Sequence, residues 1–477
     1  MANKFYITTP IFYPNANLHM GHAYTITICD IVARFNRLQG KDVHFLTGSD
    51  ENTIKVVKAA TEAGKTPLQF TDMVVDNFKR LFKDLDISYD QFIRTSDKEI
   101  HWPGAIMLWN KLVESGDIYK KKYKGLYCPG CEEFKKEKEL VNGKCPLHNL
   151  IPEEIEEENY FFKLSKYQDF LKEKINSDEL SIEPATRKKE VLSFLSEPLE
   201  DVSFSRAVKG ESWGIPIPND PSQVMYVWCD ALSNYISAIG YGRDEETFKK
   251  FWPADYHVIG KDILRFHAVF WPAMLHSAGL ELPKKIFVHG MITSGGRKMS
   301  KTLGNVIDPY ELMNEYGAES MRYFLAREIS TTEDGDMTKE SFKDAYNANL
   351  ANGLGNLVSR IMKMAETNLD APVLIEEAKI YPKISYSSRF DMFDIQKAID
   401  DVWEYIKSID SDIQIGKPFK LVKEDKQKGK EMIEQFVKEL YIVAQGLEPF
   451  MPKTSLEIKR LIKENKSPEQ PLFLRKI

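Results

Sequence analysis

Cysteine is scarce in this sequence, and long apolar runs are missing. The five cysteines among 477 residues, at positions 29, 128, 131, 145 and 229, do not make a disulfide framework, so we expect a reducing compartment. No apolar run approaches the roughly 20 residues that a membrane-spanning helix needs. Prolines interrupt the apolar residues of the N-terminus, where a signal peptide would be continuous. We therefore expect a cytoplasmic protein with no membrane partner.

Excess positive charge is also missing. The chain has 65 Lys and Arg against 71 Asp and Glu, a net charge of −6, so overall basicity does not indicate a nucleic-acid partner. The distribution is uneven, because residues 417–477 contain 14 Lys and Arg but nine Asp and Glu. A basic C-terminal region allows a local contact surface for phosphate, although helices with solvated lysines would give the same count.

Strand and helix patterns alternate in two separate parts of the chain and predict one split sheet. The composition, 43% hydrophobic and 29% charged, is that of a globular protein. Tyrosines and acidic runs interrupt the alternation between about Gly116 and Val224, which predicts an inserted domain. The fold class is therefore α/β, a Rossmann-type parallel sheet split by an insertion and followed from about Asn347 by an α-helical bundle. The strand patterns lie at residues 5–9, 43–47, 225–228, 256–260 and 286–288.

A turn with two histidines, His19-Met20-Gly21-His22, follows the first strand pattern. We expect a helix to begin at about residue 18. His19 and His22 are three residues apart and share a helix face, beside the N–H groups that make a helix N-terminus suitable for phosphate. Gly21 leaves room for a flat base between the imidazoles. Alone, this pair is equally consistent with two solvated or core histidines.

A basic loop lies nearly 280 residues further along the chain, at Arg297-Lys298-Met299-Ser300-Lys301. Gly295-Gly296 predicts a hairpin turn before it, and Asp308-Pro309 predicts the start of the next helix. Lys298 and Lys301 on a mobile loop could close over a triphosphate and offset charge in the transition state. Alone, such a loop is common on protein surfaces.

A metal-binding pattern occurs inside the predicted insertion. Cys128 and Cys131 are separated by two residues, as are Cys145 and His148. Two such pairs form the knuckles that hold tetrahedral zinc. Four protein ligands leave no open coordination position, so we expect a structural zinc ion. Cys29 and Cys229 have no such partner and are expected to be buried or semi-buried thiols.

Taken together, these segments resemble the HIGH and KMSKS signatures of the class I aminoacyl-tRNA synthetases, here HMGH at 19–22 and KMSKT at 298–302. Further segments are similar to the methionyl-tRNA synthetases, in the bacterial form with a single zinc knuckle. They are LTGSDE at 46–51, YVWCDALSNY at 226–235 and IGKDILRFHAVFWP at 259–272. The resemblance covers essentially the whole chain.

The resemblance implies two reactions: ATP, with Mg²⁺, and L-methionine form methionyl-adenylate, and the methionyl group then passes to tRNA(Met). The catalytic residues it implies are His19 and His22 on the ATP phosphates and Lys298 and Lys301 on the departing pyrophosphate. Gly260 and Asp262, at the end of a strand where open sheets bind nucleotides, would hold the adenosine. The ATP-binding residues are thus His19, Gly21, His22, Gly260, Asp262, Lys298, Ser300 and Lys301.

The resemblance also implies a methionine pocket. Asp50 would pair with the substrate ammonium, although at a strand-to-helix junction it could simply cap the helix. Asp230 could likewise cap a helix. A thioether is polarisable and packs well on aromatic rings, so an apolar and aromatic slot suits methionine. The residues of this slot are Ile11, Tyr13, Trp228, Ala231, Tyr235, Ile263 and His267; as ordinary core residues they would show the same pattern.

In the helical region, Asn356 and Arg360 match family residues that read the anticodon. The family usually has a tryptophan where this chain has Phe419, which can still stack on an unpaired base. The implied domains are two catalytic halves at 1–115 and 225–346, the connective insertion at 116–224 and the anticodon-binding domain at 347–477. Because the chain stops soon after Pro452, we expect a monomer.

Three other functions fit the sequence less well than this interpretation. Synthetases for isoleucine, valine or leucine carry a much larger editing insertion than residues 116–224, and a cysteine enzyme would place zinc in the pocket itself. A nucleotidyltransferase that does not use tRNA would not need the helical domain. A non-catalytic RNA-binding protein would not need both the HMGH and the KMSK residues.

Overall fold

The computed structural model describes residues 4–129, 133–146, 149–208, 213–299, 305–375 and 386–477. The chain folds as two compact units. The first unit consists of Met1–Asn17, Asp42–Arg80 and Tyr89–Val288, and the second consists of Leu18–Lys41, Leu81–Ser88 and His289–Ile477.

The strands in the described ranges are short to medium in length. They are β1 (Lys4–Thr8), β2 (Asp42–Ser49), β3 (Gln91–Arg94), β4 (Ile118–Cys128), β5 (Glu133–Lys135), β6 (Glu153–Phe162), β7 (Ser181–Glu183), β8 (Val202–Ser203), β9 (Ser205–Ala207), β10 (Pro216–Ile217), β11 (Asp220–Met225), β12 (Tyr256–Gly260), β13 (Lys285–His289), β14 (Ile292–Ser294), β15 (Arg297–Lys298) and β16 (Gly335–Asp336).

The helices in the described ranges vary from 4 to 22 residues in length. They are α1 (Met20–Leu38), α2 (Ile54–Glu62), α3 (Pro67–Asp84), α4 (Trp102–Glu114), α5 (Gln168–Asn176), α6 (Ala185–Phe194), α7 (Val227–Leu232), α8 (Asn234–Ser237), α9 (Glu245–Phe251), α10 (Trp271–Ser277), α11 (Pro309–Tyr316), α12 (Ala318–Arg327), α13 (Lys339–Ala345), α14 (Asn356–Asn368), α15 (Ser387–Asp391), α16 (Ile395–Gly416), α17 (Pro418–Glu424), α18 (Lys426–Leu447) and α19 (Pro452–Glu464). Two π-helical segments, Phe266–Phe270 and Tyr346–Gly355, precede α10 and α14.

The first unit is built on a six-stranded sheet in the order β3-β2-β1-β12-β13-β7. β1 runs parallel to both β2 and β12, β2 runs parallel to β3, and β13 runs parallel to β7. The central strands are nearly continuous buried runs, as expected for a sheet that is covered on both faces. The predicted parallel sheet is therefore confirmed.

The predicted insertion contributes to this sheet as well as forming sheets of its own. β7 lies within residues 116–224 and pairs through Ile182 with Ile286 of β13. The other strands of this region form two antiparallel sheets, β5-β4-β6-β8 and β10-β11-β9. The acidic run of β6 lies opposite the lysines of β4, for example Glu156 opposite Lys124, so opposite charges face each other across the ladder. The domain boundaries stay a prediction.

The prediction of a parallel strand at residues 225–228 is wrong. β11 ends at Met225 in an antiparallel sheet, and α7 begins at Val227. Every residue of α7 is buried. A short apolar segment that is buried on all sides has no period that distinguishes a strand from a helix.

The second unit contains α1, a small sheet β15-β14-β16 and the C-terminal helices. A fully buried ion pair joins Arg322 of α12 to Asp30 of α1, with Nη1 and Oδ2 2.7 Å apart. Arg34 binds the same carboxylate at 2.8 Å and is 21% exposed. Burial raises the pKa of Asp30, but the two guanidinium groups outweigh it and hold that pKa below its usual value.

Replacing Arg322 with methionine is expected to destabilise the protein by about 3–5 kcal/mol, because it leaves the Asp30 carboxylate buried without its main partner. The depressed pKa of Asp30 means that the pair stabilises above the ordinary carboxyl pKa of 3.8 and that this contribution is lost as the pH falls through the folded pKa. Urea unfolding at several pH values measures both effects. Arg34→Met, at the more exposed partner, should cost less; an equal loss in both variants would contradict this assignment.

Candidate functional site

The N-terminus of α1 holds the two histidines of the HMGH segment side by side. His19 is the N-cap, and its Nδ1 accepts from the Gly21 N–H at 3.1 Å. Nδ1 of His22 accepts from the His19 N–H at 3.1 Å, and the ring centroids are 3.8 Å apart. A Cβ on Gly21 would lie 3.0 Å from Cε1 of His19, so glycine suits this turn.

The protonation of His22 follows from its surroundings. Burial lowers its pKa well below the usual value, and the neighbouring His19 lowers it further. Because each Nδ1 accepts a backbone N–H, the proton of each neutral ring is on Nε2. The pair therefore presents Nε2–H donors at a helix N-terminus, where the aligned backbone dipoles favour an anion.

The hairpin β14–β15 carries the beginning of the KMSK segment. Gly295 and Gly296 have φ angles of +62° and +70°, which confirms the predicted turn. Asp336 was missed by the sequence analysis: its Oδ1 accepts from the Gly296 N–H at 2.8 Å and from Thr293 Oγ1 at 2.7 Å. These hydrogen bonds, led by that of Gly296, lower the pKa of Asp336 and anchor the hairpin tip.

Only part of the KMSK segment lies within the described residues. The backbone of Lys298 pairs with Thr293, whereas Ser300, Lys301 and the Lys298 side chain lie outside what the structure describes. The predicted helix start after this loop is confirmed, because Asp308 accepts from the Tyr310 N–H at 2.9 Å and caps α11.

In the first unit, the candidate adenosine residues follow β12. Gly260 ends this strand and is half-buried, and Asp262 lies exposed in the short 3₁₀ helix Lys261–Ile263. β12 runs parallel to β1 and its carboxyl end extends beyond that of β1, because Ile7 and Thr8 lie beside Tyr256 and His257. This edge is where open α/β sheets bind nucleotides.

Asp50 lies just beyond β2 and is 2% exposed. Its N–H donates to the Phe12 carbonyl at 2.9 Å, which fixes the segment containing Ile11 and Tyr13 beside it. The suggestion that Asp50 caps the following helix is wrong. The N-cap of α2 is Thr53, whose side chain accepts from the Val56 N–H.

The structure brings four residues of the candidate methionine slot together. Tyr235 Oη lies 2.7 Å from His267 Nε2, and His267 Nδ1 donates to the Ile263 carbonyl at 2.9 Å. The ring of Trp228 is 6.3 Å from that of His267. Trp228 also stacks on Phe266 at 3.7 Å; Phe266 was not predicted. A fifth residue of the slot, Ala231, is buried on α7, the helix that also carries Trp228.

Two features suit this slot for a neutral ligand. Because His267 Nδ1 donates to a carbonyl, its Nε2 accepts from the Tyr235 hydroxyl, so the ring is neutral. Burial lowers the pKa of His267 to about 4. Trp228 is 8% exposed, and its buried Nε1 has no hydrogen-bond partner among the described residues. A buried donor without a partner indicates a missing acceptor.

The suggestion that Asp230 caps a helix is wrong. α7 has Tyr226 at its N-cap, and Asp230 lies inside the helix. Its carboxylate is buried and accepts from His101 Nε2 at 2.6 Å and from Asn52 Nδ2 at 2.8 Å. Sequence analysis did not identify His101 or Asn52, because nothing local links positions so far apart in the chain.

The candidate anticodon residues lie on helices of the second unit. Asn356 is exposed at the start of α14, and Arg360 follows one turn later. Arg360 is ion-paired with Asp410 of α16. Phe419 is 48% exposed on α17, as a stacking residue would be.

Two of the four predicted zinc ligands lie within the described residues. Cys128 ends β4 and Cys145 lies in the following loop, and both thiols are fully buried. Cys131 and His148 lie outside the described residues. Within the described residues there is no group of three or more side chains that could hold a metal ion. Cys29 and Cys229 are buried, as predicted.

In the described part of the chain, no helix is long and apolar enough to span a membrane.

Comparison with known proteins gives consistent matches. A family profile described as "tRNA synthetases class I (M)" matches residues 5–151 and 135–362. The methionine–tRNA ligase of Clostridium acetobutylicum is 44% identical over 96% of this chain and 73% of its own length. That of Rickettsia conorii is 40% identical over 99% and 95%. Mycobacterium tuberculosis methionyl-tRNA synthetase in complex with methionyl-adenylate has a TM-score of 0.90 at 38% identity, covering 96% of this chain and 93% of that one.

The stability of the protein should fall between pH 6.5 and about 4, partly because of His267. Its pKa drops from 6.5 to about 4 on folding, so the unfolded chain takes up the proton first as the pH decreases. Above pH 6.5, His267 does not lower the free energy of unfolding. By pH 4 it lowers the free energy of unfolding by on the order of 3 kcal/mol. Urea unfolding across this range should show a shallower loss for His267→Asn; parallel curves for the variant and the unchanged protein would disprove the assignment.

Proposed function

The chain belongs to the methionine–tRNA ligases, which are class I aminoacyl-tRNA synthetases, and from this family we propose the role of each residue in its site. The protein activates L-methionine with ATP to methionyl-adenylate and transfers the methionyl group to tRNA. In the first reaction an oxygen of the methionine carboxylate attacks the α-phosphorus and pyrophosphate leaves. No protein nucleophile takes part, so the residues position the substrates and stabilise charge.

His19 and His22 donate hydrogen bonds from Nε2–H to the phosphates of ATP as the α-phosphorus is attacked. The support for this role is their neutral, Nε2-protonated form at the N-terminus of α1. Lys298 and Lys301 stabilise the pyrophosphate as it departs, and Gly21 and Ser300 line the phosphates. Mg²⁺ bound with ATP supplies further positive charge to the triphosphate.

The adenosine and methionine sites belong to the first unit. Gly260 and Asp262 hold the adenosine, with Asp262 on the ribose. Asp50 pairs with the methionine ammonium. The thioether enters the slot formed by Ile11, Tyr13, Trp228, Ala231, Tyr235, Ile263 and His267. The observation that carries this proposal is the neutral Tyr235–His267 pair beside a stacked tryptophan, because it offers a polarisable surface without charge.

The C-terminal helices are proposed to read tRNA(Met). Asn356 and Arg360 contact the anticodon bases, and Phe419 stacks on one of them. For Arg360, this requires the guanidinium to leave Asp410 or to share it with a base. We also propose that the protein is a monomer and works in the cytoplasm, where its substrates are used in protein synthesis.

Zinc is proposed as a structural ion at Cys128, Cys131, Cys145 and His148. The support is the chemistry of the donor set and the burial of the two described thiols. Bound zinc would cross-link the loop, and it leaves no coordination position for a substrate.

Pyrophosphate exchange into ATP, assayed with each of the twenty amino acids, tests the proposed function. We expect exchange with methionine alone. His22→Ala should lower kcat by about 100-fold, the size of effect seen when one charge-stabilising donor is removed, without changing the KM for methionine. His276→Ala, at an imidazole that stacks on Phe170, is the matched control and should leave the rate unchanged. Exchange with a different amino acid would disprove the substrate; exchange with none would disprove the activity.

Removal of zinc should unfold the segment around Cys128–His148 and lower aminoacylation, because metal binding and folding are coupled in such knuckles. Metal content, limited proteolysis of the segment and the aminoacylation rate are measured before and after chelation, and again after zinc is restored. Cys29→Ser, at a cysteine outside the site, is the control. Full activity in protein that is verified to be free of zinc would contradict the structural role.

A further inference from the structure

One buried polar network of the first unit has no part in the roles assigned so far. Asp230 and His101 are 1% and 0% exposed, and Oδ1 of Asp230 lies 2.6 Å from Nε2 of His101. Oδ2 of Asp230 accepts from Asn52 Nδ2 at 2.8 Å. We propose that His101 and Asp230 are positioning residues, which set the distance between the two parts of the methionine site.

The first part of the methionine site is the turn that carries Asp50. Two residues later, Asn52 donates to Asp230 and also to the Thr95 carbonyl at 2.9 Å. The Glu51 N–H donates to Thr95 Oγ1 at 2.8 Å. The turn is thus held on one side by the loop after β3 and on the other by the Asp230 carboxylate.

The second part is the slot on α7 and α8. Asp230 is adjacent to Ala231 and two residues from Trp228 on α7. His101 Nδ1 lies 2.8 Å from Ser237 Oγ on α8, two residues after Tyr235. Since a carboxylate only accepts, Nε2 of His101 carries the proton towards Asp230. One imidazole therefore connects both slot helices.

The packing around His101 leaves little room for adjustment. Gly104 lies on α4, one turn after His101, and a Cβ there would come 2.6 Å from Cβ of Ser237. The backbone of α4 at Gly104 therefore packs directly against α8, with no space for a side chain between them. A carboxylate with both oxygens engaged by fixed donors holds a defined direction, which apolar packing alone does not provide. Loss of the His101 donor would leave a buried Asp230 oxygen without its partner, and the carboxylate that binds Asn52 would no longer be held in one direction.

The proposal rests on the proposed methionine site, and it predicts an effect on methionine binding that ATP binding does not share. The network contacts the turn of Asp50 and the helices of the slot, whereas Gly260 and Asp262 follow β12 and are not members of it. A change in the network should therefore weaken methionine binding and leave ATP binding intact. A network that only stabilised the fold would alter both constants, or neither.

The test compares His101→Leu with His101→Gln by pyrophosphate exchange, with the KM for methionine, the KM for ATP and kcat measured separately. His101→Leu removes the donor and should raise the KM for methionine by about tenfold or more, which corresponds to one misplaced polar contact, while the KM for ATP changes less than about twofold. His101→Gln keeps an N–H for Asp230 and should recover most of the methionine affinity.

Tyr167→Phe is the matched control. It removes a hydroxyl donor from Asp117, another buried carboxylate of the first unit, and should leave the KM for methionine unchanged. A similar KM in His101→Leu and Tyr167→Phe would overturn the proposal. If His101→Leu does not fold, Ser237→Ala removes only the hydroxyl at Nδ1, and the lack of a selective rise in its methionine KM would overturn the proposal. If the unchanged protein shows no exchange with methionine, the proposed function fails instead.

Discussion

The second unit depends on one buried ion pair, because three separate stretches of chain meet at it. Asp30 comes from residues 18–41, Arg322 from residues 289–477, and the Leu85 carbonyl, which accepts from Arg322, from residues 81–88. Arg322 also donates to the carbonyls of Pro449 and Phe450. A guanidinium whose three nitrogens all have acceptors in this way tolerates burial. Since Asp30 lies on α1, the same pair holds the helix that presents the two histidines.

The first unit uses the same device on a smaller scale at Asp230. In both places a buried carboxylate binds a side chain that is distant in sequence, Arg322 at Asp30 and His101 at Asp230. Apolar packing supplies most of the free energy of folding but little direction. The buried carboxylates supply direction, which is what a site for a small polar substrate requires. Both carboxylates are close to proposed site residues, since Asp30 lies on the same helix as His22 and Asp230 is adjacent to Ala231.

The features that could be predicted from the sequence are those with local causes. Gly295-Gly296 forms its turn through its own backbone freedom, Asp308 caps the helix beside it, and β1 is recognisable from its own residues. The features that could not be predicted have distant causes. The sequence places β7 in the insertion, whereas the structure pairs it with β13 of the main sheet. The sequence suggests that Asp230 caps a helix, whereas its carboxylate binds His101, which is distant in sequence. α7 was misjudged because all of its residues are buried.

The neutrality of the slot has a consequence for which amino acids the site can reject. His267 loses its charge through burial, and its single proton is donated to the Ile263 carbonyl, so this imidazole offers no positive charge to an ionised carboxylate. A glutamate side chain would enter the proposed slot only by giving up its hydration, and we therefore expect glutamate to be excluded. Neutral side chains of similar length differ by only a few kcal/mol in such a slot. We propose that discrimination among them comes from the distance between the slot and Asp50, the proposed ammonium partner, and that Asp230 and His101 set this distance.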